Sequence, residues 1–88
     1  MYVVLSFDFG GNSDVRLHCV SVDGLKAQRI YDSVCEQYRD YNEKYNKHSV
    51  RKLVDLIKVP DELEWEEGVL AFWGRPSLPG VQRIASNN

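Results

Sequence analysis

Five side chains stand out as able to do chemistry: Asp8, His18, Cys19, Cys35 and His48. A nucleophile needs a base within hydrogen-bond reach. His18 and Cys19 are neighbours in a segment that reads as a strand, where successive side chains point to opposite faces. That alternation predicts no direct Cys–His pair. It also spoils a tetrahedral zinc set from His18, Cys19, Cys35 and His48, whose spacing matches no compact finger. Cys35 falls at the edge of a helical stripe and reads as packing. The carboxylates of DELEWEE, residues 61–67, form a run of the kind that is usually solvated. The expectation is no catalytic set, no metal and no cofactor, so a protein that is not an enzyme.

One longer stretch invites a comparison. LSFDFGGNSDVRL is an apolar strand, an aspartate, a glycine pair and a second strand. It resembles the first phosphate loop of the actin and sugar-kinase superfamily in Asp8, Gly10 and Gly11. There the aspartate acts through a metal and the glycine turn cradles phosphate. RNase H-like nucleases also place a metal-binding aspartate on a first strand. The resemblance covers thirteen residues. Both folds need much more chain and further carboxylates on later strands. The stretch therefore reads as a strand ended by a glycine turn. DFG at 8–10 lacks the kinase context around it.

The chain has 88 residues, enough for one small domain. The net charge of -2 and pI of about 5.6 speak against strong non-specific nucleic-acid binding, and fall far short of a nucleic-acid mimic. The N-terminal stretch has no basic region before its apolar run, and no segment reaches the ~20 apolar residues of a membrane span. The expectation is a cytoplasmic protein with no membrane partner and two reduced thiols.

The elements that would position these residues follow from periodicity. Residues 2–9 alternate, with Val3, Leu5, Phe7 and Phe9 on a core face and Tyr2, Val4, Ser6 and Asp8 on the other. GGNSD supplies a turn. Residues 15–22 return as a second strand, Val15, Leu17 and Cys19 inward and Arg16, His18, Val20 and Val22 outward. Asp23 is placed to cap a helix from about Leu25 to Asn46. Ser49 could cap a second helix, VRKLVDLIK, with Val50, Leu53, Val54 and Ile57 on one stripe. DELEWEEG reads as a turn or short helical piece and VLAFW, residues 69–73, as a third strand. The expected fold is α+β in the order β-β-α-α-β: a small antiparallel sheet with one long helix packed across one face. The domain is expected to span residues 1–76, with residues 77–88 a tail that is loose or docked on the sheet.

The long helix carries most of the tyrosines. Ala27, Ile30, Tyr31, Val34, Tyr38, Tyr41 and Tyr45 share one side of the wheel, opposite Arg29, Asp32, Glu36, Asp40 and Glu43. They are on the packing stripe. Beyond Val34 the stripe is purely tyrosine, and a tyrosine hydroxyl needs a partner or water. The second helix covers these rings in one reading; in the other they are a contact surface. Tyr2, Val4, Val20, Val22 and Trp73 make the outer sheet face apolar, to be covered by Leu78, Val81 and Ile84 or by a partner. These features favour a non-catalytic protein-binding module, a small inhibitor or adaptor of phage or mobile-element type that occludes a partner and also forms homodimers. The expected contact residues are Tyr38, Tyr41, Tyr45, Trp73, Arg51 and Lys52. The alternative is single-stranded nucleic-acid binding through Lys44, Lys47, His48, Arg51 and Lys52, where basic residues interleave with aromatics.

Overall fold

A computed structural model describes residues 1–8, 15–44, 52–74 and 80–87, without the side chains of Asp8 and residues 70–74. The chain runs β1 (Tyr2–Asp8), β2 (Val15–Ser21), α1 (Gly24–Lys44), β3 (Lys52–Lys58), α2 (Trp65–Gly74) and β4 (Gln82–Ser86). The strands form one sheet in the order β2-β1-β3-β4, with every neighbouring pair antiparallel. The α+β class and the long helix across one face are as the sequence predicts.

α1 begins where the cap places it. Asp23 Oδ1 accepts hydrogen bonds from the amides of Leu25 at 3.0 Å and Lys26 at 3.3 Å. These amides have no partner within the helix, so the carboxylate both satisfies them and suits the positive end of the dipole. At the other end Lys44 lies in the last turn, where a cation is favoured. The buried stripe is Ala27, Tyr31, Val34 and Tyr38. It packs on Val4, Cys19, Val54 and Leu56 of the sheet.

Within the second expected helix, VRKLVDLIK, the described residues Lys52–Lys58 are instead β3. Leu53, Val54, Asp55, Leu56 and Ile57 are all buried. A strand covered on both faces has no polar alternation, and its apolar run cannot be told from a helical stripe by period alone. The expected third strand, VLAFW, lies inside α2. Its helical start is marked by Glu66 and Glu67 in the first turn, at the positive end of the helix. Residues 82–86, read as tail, form β4, so the sheet gains an edge strand beyond residue 76.

The two faces of the sheet are also exchanged. α1 covers Val4, with Tyr2 packed against the same cluster, on the side expected to be outward. The other side holds Val3, Leu5, Ile57 and Val59, closed over by Leu63, Trp65 and Val69. Both faces are apolar because both are roofed. Alternation therefore could not say which face belongs to the long helix. Gly68 explains how close α2 comes: a Cβ there would collide with both γ-methyls of Val59.

Candidate functional site

Several polar side chains gather at the end of the α1 seam nearest Lys44. Their placement begins with an irregularity in β2. Val4 pairs with Cys19, yet Leu5 pairs with Leu17, so His18 is the extra residue of a β-bulge. A bulge breaks the strict alternation of a strand. His18 and Cys19 therefore both lie toward α1, correcting the expectation that they face opposite sides. Cys19 sits in the apolar cluster beneath the helix. His18 reaches Ser6, its Nε2 standing 2.7 Å from the hydroxyl oxygen.

The imidazole also meets the edge of Tyr38, with ring centroids 6.4 Å apart and planes at 69°. The Lys52 ammonium lies over two rings, 4.9 Å from the centroid of Tyr38 and 4.7 Å from that of Tyr41. These are cation–π distances. Lys52 is held there by its backbone. The Asn42 carboxamide donates to the Lys52 carbonyl at 2.9 Å and accepts from its amide at 2.7 Å. Asn87 donates to the same carbonyl at 3.1 Å, and its side-chain oxygen accepts from the Val54 amide at 2.8 Å. One asparagine from the helix and one from beyond β4 thus fix the start of β3. Arg16 stands opposite Ser6 in the register and is exposed.

Burial holds the His18 pKa below its ordinary value of 6.5, and the neighbouring Arg16 charge pushes in the same direction. The imidazole is neutral at neutral pH. A serine hydroxyl bonded to a neutral imidazole is the geometry of an activated nucleophile. Here Ser6 is only 4% exposed, beneath the helix, so its hydroxyl offers no surface to a substrate. The pair satisfies two polar side chains in a partly buried seam.

A second polar region flanks α1. An open groove of about 690 Å³ is lined by Asp32, Cys35, Glu36, Arg39, Asn42, Glu43 and Asn87. Arg39 is engaged with Glu36 at 2.8 Å. Burial raises the Cys35 thiol pKa and, more strongly, that of the Tyr31 hydroxyl. Cys19 and Cys35 are both free thiols. Among the described residues no group of three His, Cys, Asp or Glu is arranged to hold a metal ion, and no helix is long and apolar enough to cross a membrane.

Of the contact residues expected from sequence, Tyr38 is buried in the core, while Tyr41 and Lys52 are half-buried at the seam. Lys44 is exposed at the end of α1. Trp73 belongs to α2 rather than to a strand, and its side chain is not described. Tyr45, Lys47, His48 and Arg51 lie outside the described residues, as does the glycine turn at 10–11. The structure brings Tyr38, Tyr41 and Lys52 together and adds Ser6, Arg16, His18 and Asn42, which sequence reasoning did not place there. Nothing in the spacing of Asn42 announces its clamp; only the register does. Among the described residues the large exposed apolar side chains lie elsewhere, Ile84 on β4 being one of them. Val15 and Leu17 on β2 are each 46% exposed, and Val22 and Leu25 at the turn into α1 are 82% and 73% exposed.

No family model, no curated protein and no solved structure matches the chain.

Proposed function

We propose that this chain is a non-catalytic protein-binding module, working in the cytoplasm as a small inhibitor or adaptor that occludes a partner and can pair with its own copy. One observation carries the reading: Val15, Leu17, Val22 and Leu25 are exposed along a single stretch of chain, from the edge strand β2 through the turn that follows it to the first turn of α1. Aliphatic side chains grouped in this way mark association surfaces. Tyr38 is buried in the core, so the contact surface centres on the β2 edge rather than on that ring. Val22→Glu combined with Leu25→Glu tests it. The expected result is an unchanged circular-dichroism spectrum with loss of a stoichiometric partner that the wild type retains from nuclease-treated native lysate. Equal retention by the variant refutes the β2 surface. Sedimentation of both proteins reads self-association separately.

A second reading is favoured by Lys52 over the Tyr38 and Tyr41 rings, with His18 against Tyr38 and the Arg16 charge acting on His18. Three cationic or imidazole side chains from two strands beside a tyrosine fit a single-stranded nucleic acid, through charge and stacking. Oligonucleotide anisotropy then falls steeply with salt, and Arg16→Glu with Lys52→Glu abolishes it. No anisotropy change at low salt removes this reading.

A further inference from the structure

Asp55 is the least expected residue of the sheet. It stands on β3, opposite Leu5 and two positions from Ile57, on the face covered by α2. It is 1% exposed. Its Oδ1 lies 3.6 Å from the Arg83 Nε, and its Oδ2 has no hydrogen-bond partner among the described residues. A buried carboxylate without a counter-charge is costly, and retained ones are best known for fixing register.

The register of β4 shows what is being fixed. Asp55 pairs with Ser86 and Leu56 with Ala85, but Ile57 pairs with Arg83 and Lys58 with Gln82. Ile84 is skipped. Continuing the first two pairs without a bulge would set Ile84 opposite Ile57 and Arg83 opposite Lys58. That pairing has clear attractions: it restores the ladder and moves an isoleucine, now 46% exposed, onto an apolar face. It also has two electrostatic penalties. Arg83 would leave Asp55, and would stand directly across from another cation. The bulge is the arrangement that gives Asp55 its arginine.

We propose that the Asp55–Arg83 contact is a register lock: it holds β4 in the bulged pairing, and removing or reversing it lets the strand slip by one residue, bringing Ile84 opposite Ile57 and position 83 opposite Lys58. The slip is confined to the part of β4 before Ala85, because the Asn87 amide donates to the Val54 carbonyl at 3.2 Å and its side-chain oxygen accepts from the Val54 amide at 2.8 Å. A one-residue slip exchanges the faces of every side chain it includes. It therefore gives this edge two distinct surfaces, one presenting Ile84 and the other presenting a cation.

Two substitutions test the lock, read by cross-strand nuclear Overhauser contacts between β3 and β4. Asp55→Leu removes the carboxylate. Arg83→Glu sets a second carboxylate beside it in the bulged register, whereas the slipped register places the new charge opposite Lys58. Both are expected to replace the Ile57–position 83 contact with an Ile57–Ile84 contact, leaving Leu56–Ala85 in place. Arg83→Glu decides the matter if Asp55→Leu does not fold, because the Arg83 side chain is 54% exposed on an edge strand and tolerates exchange. Retention of the Ile57–position 83 contact in Arg83→Glu overturns the lock.

Discussion

The two faces of the sheet are packed by different means. Under α1 the core is apolar at one end and becomes polar toward the other, where Ser6, His18, Tyr38 and Lys52 engage one another. Under α2 the described core is aliphatic, built on Val3, Leu5, Ile57 and Val59, and its one charge is Asp55. Each face is served by a bulge in the edge strand on one side. The β2 bulge brings a histidine in to a serine; the β4 bulge brings an arginine in to an aspartate. The difference lies in what is left over. The neutral pair is satisfied at 2.7 Å, while the charged pair is long at 3.6 Å and leaves one oxygen without a partner among the described residues. A bulge that completes a neutral hydrogen bond adds order to its face. One that must supply a counter-charge gives up the burial of an isoleucine to do so.

If the two faces are one cooperative core, truncation on either should cost alike. Leu56 is 1% exposed under α1, and Ile57 is 0% exposed under α2. Leu56→Ala and Ile57→Ala are each expected to lower the unfolding free energy by about 2–5 kcal/mol, through lost burial and the cavity left behind. Equilibrium urea unfolding followed by circular dichroism and by tryptophan fluorescence checks this. Trp65 packs on the α2 face. Coincident curves mean a single unit; an early fluorescence transition confined to Ile57→Ala would separate the α2 face from the rest.

Gly68→Ala is the next largest disturbance and acts on one face alone. The added methyl meets the Val59 side chain, just past the end of β3, where the helix comes too close to leave room for it. Overpacking of this kind costs about 1–3 kcal/mol. The expected result is a lower urea midpoint, with the α1 seam, read from the chemical shifts of Tyr38 and His18, left in place. Equal stability of variant and wild type would mean that α2 moves away from β3 without penalty.

Much of the α1 side was legible in the sequence. The Asp23 cap, the stripe from Ala27 to Tyr38 and the pairing of the first two strands all rest on local rules of period and capping. The α2 side was not. Leu53 to Ile57 is buried on both faces and apolar apart from Asp55, so its period is silent, and VLAFW has the composition of a strand while sitting in a helix. Once these two elements are exchanged, the expected outer face has a roof, and Tyr31 and Tyr38 are buried against the sheet with no second helix needed above them. The candidate site was half legible for a related reason. Tyr38, Tyr41 and Lys52 could be grouped from the helix and its neighbour. His18 could not, because a bulge changes which side a residue faces and leaves no mark in the alternation.

The smallest effect expected is the one that tests the neutral pair directly. Burial and the Arg16 charge hold the folded His18 pKa below 6.5, its value in the unfolded chain. In the interval between these values the unfolded chain binds a proton that the folded chain refuses. Stability is therefore complete above pH 6.5 and falls as acid is added, until His18 is protonated in both states. Protonation also places a cation near Arg16 and against the Tyr38 ring. His18→Gln keeps a polar side chain at the bulge and removes the titration. Urea midpoints measured from pH 7.5 down to about pH 5, above the usual carboxylate range, should decline for the wild type and lie nearly flat for the variant. Parallel declines in both would assign the acid sensitivity to other groups. The Ser6–His18 contact would then hold its geometry without tuning the charge of the seam, and the contrast with the charged pair on the opposite face would rest on distance alone.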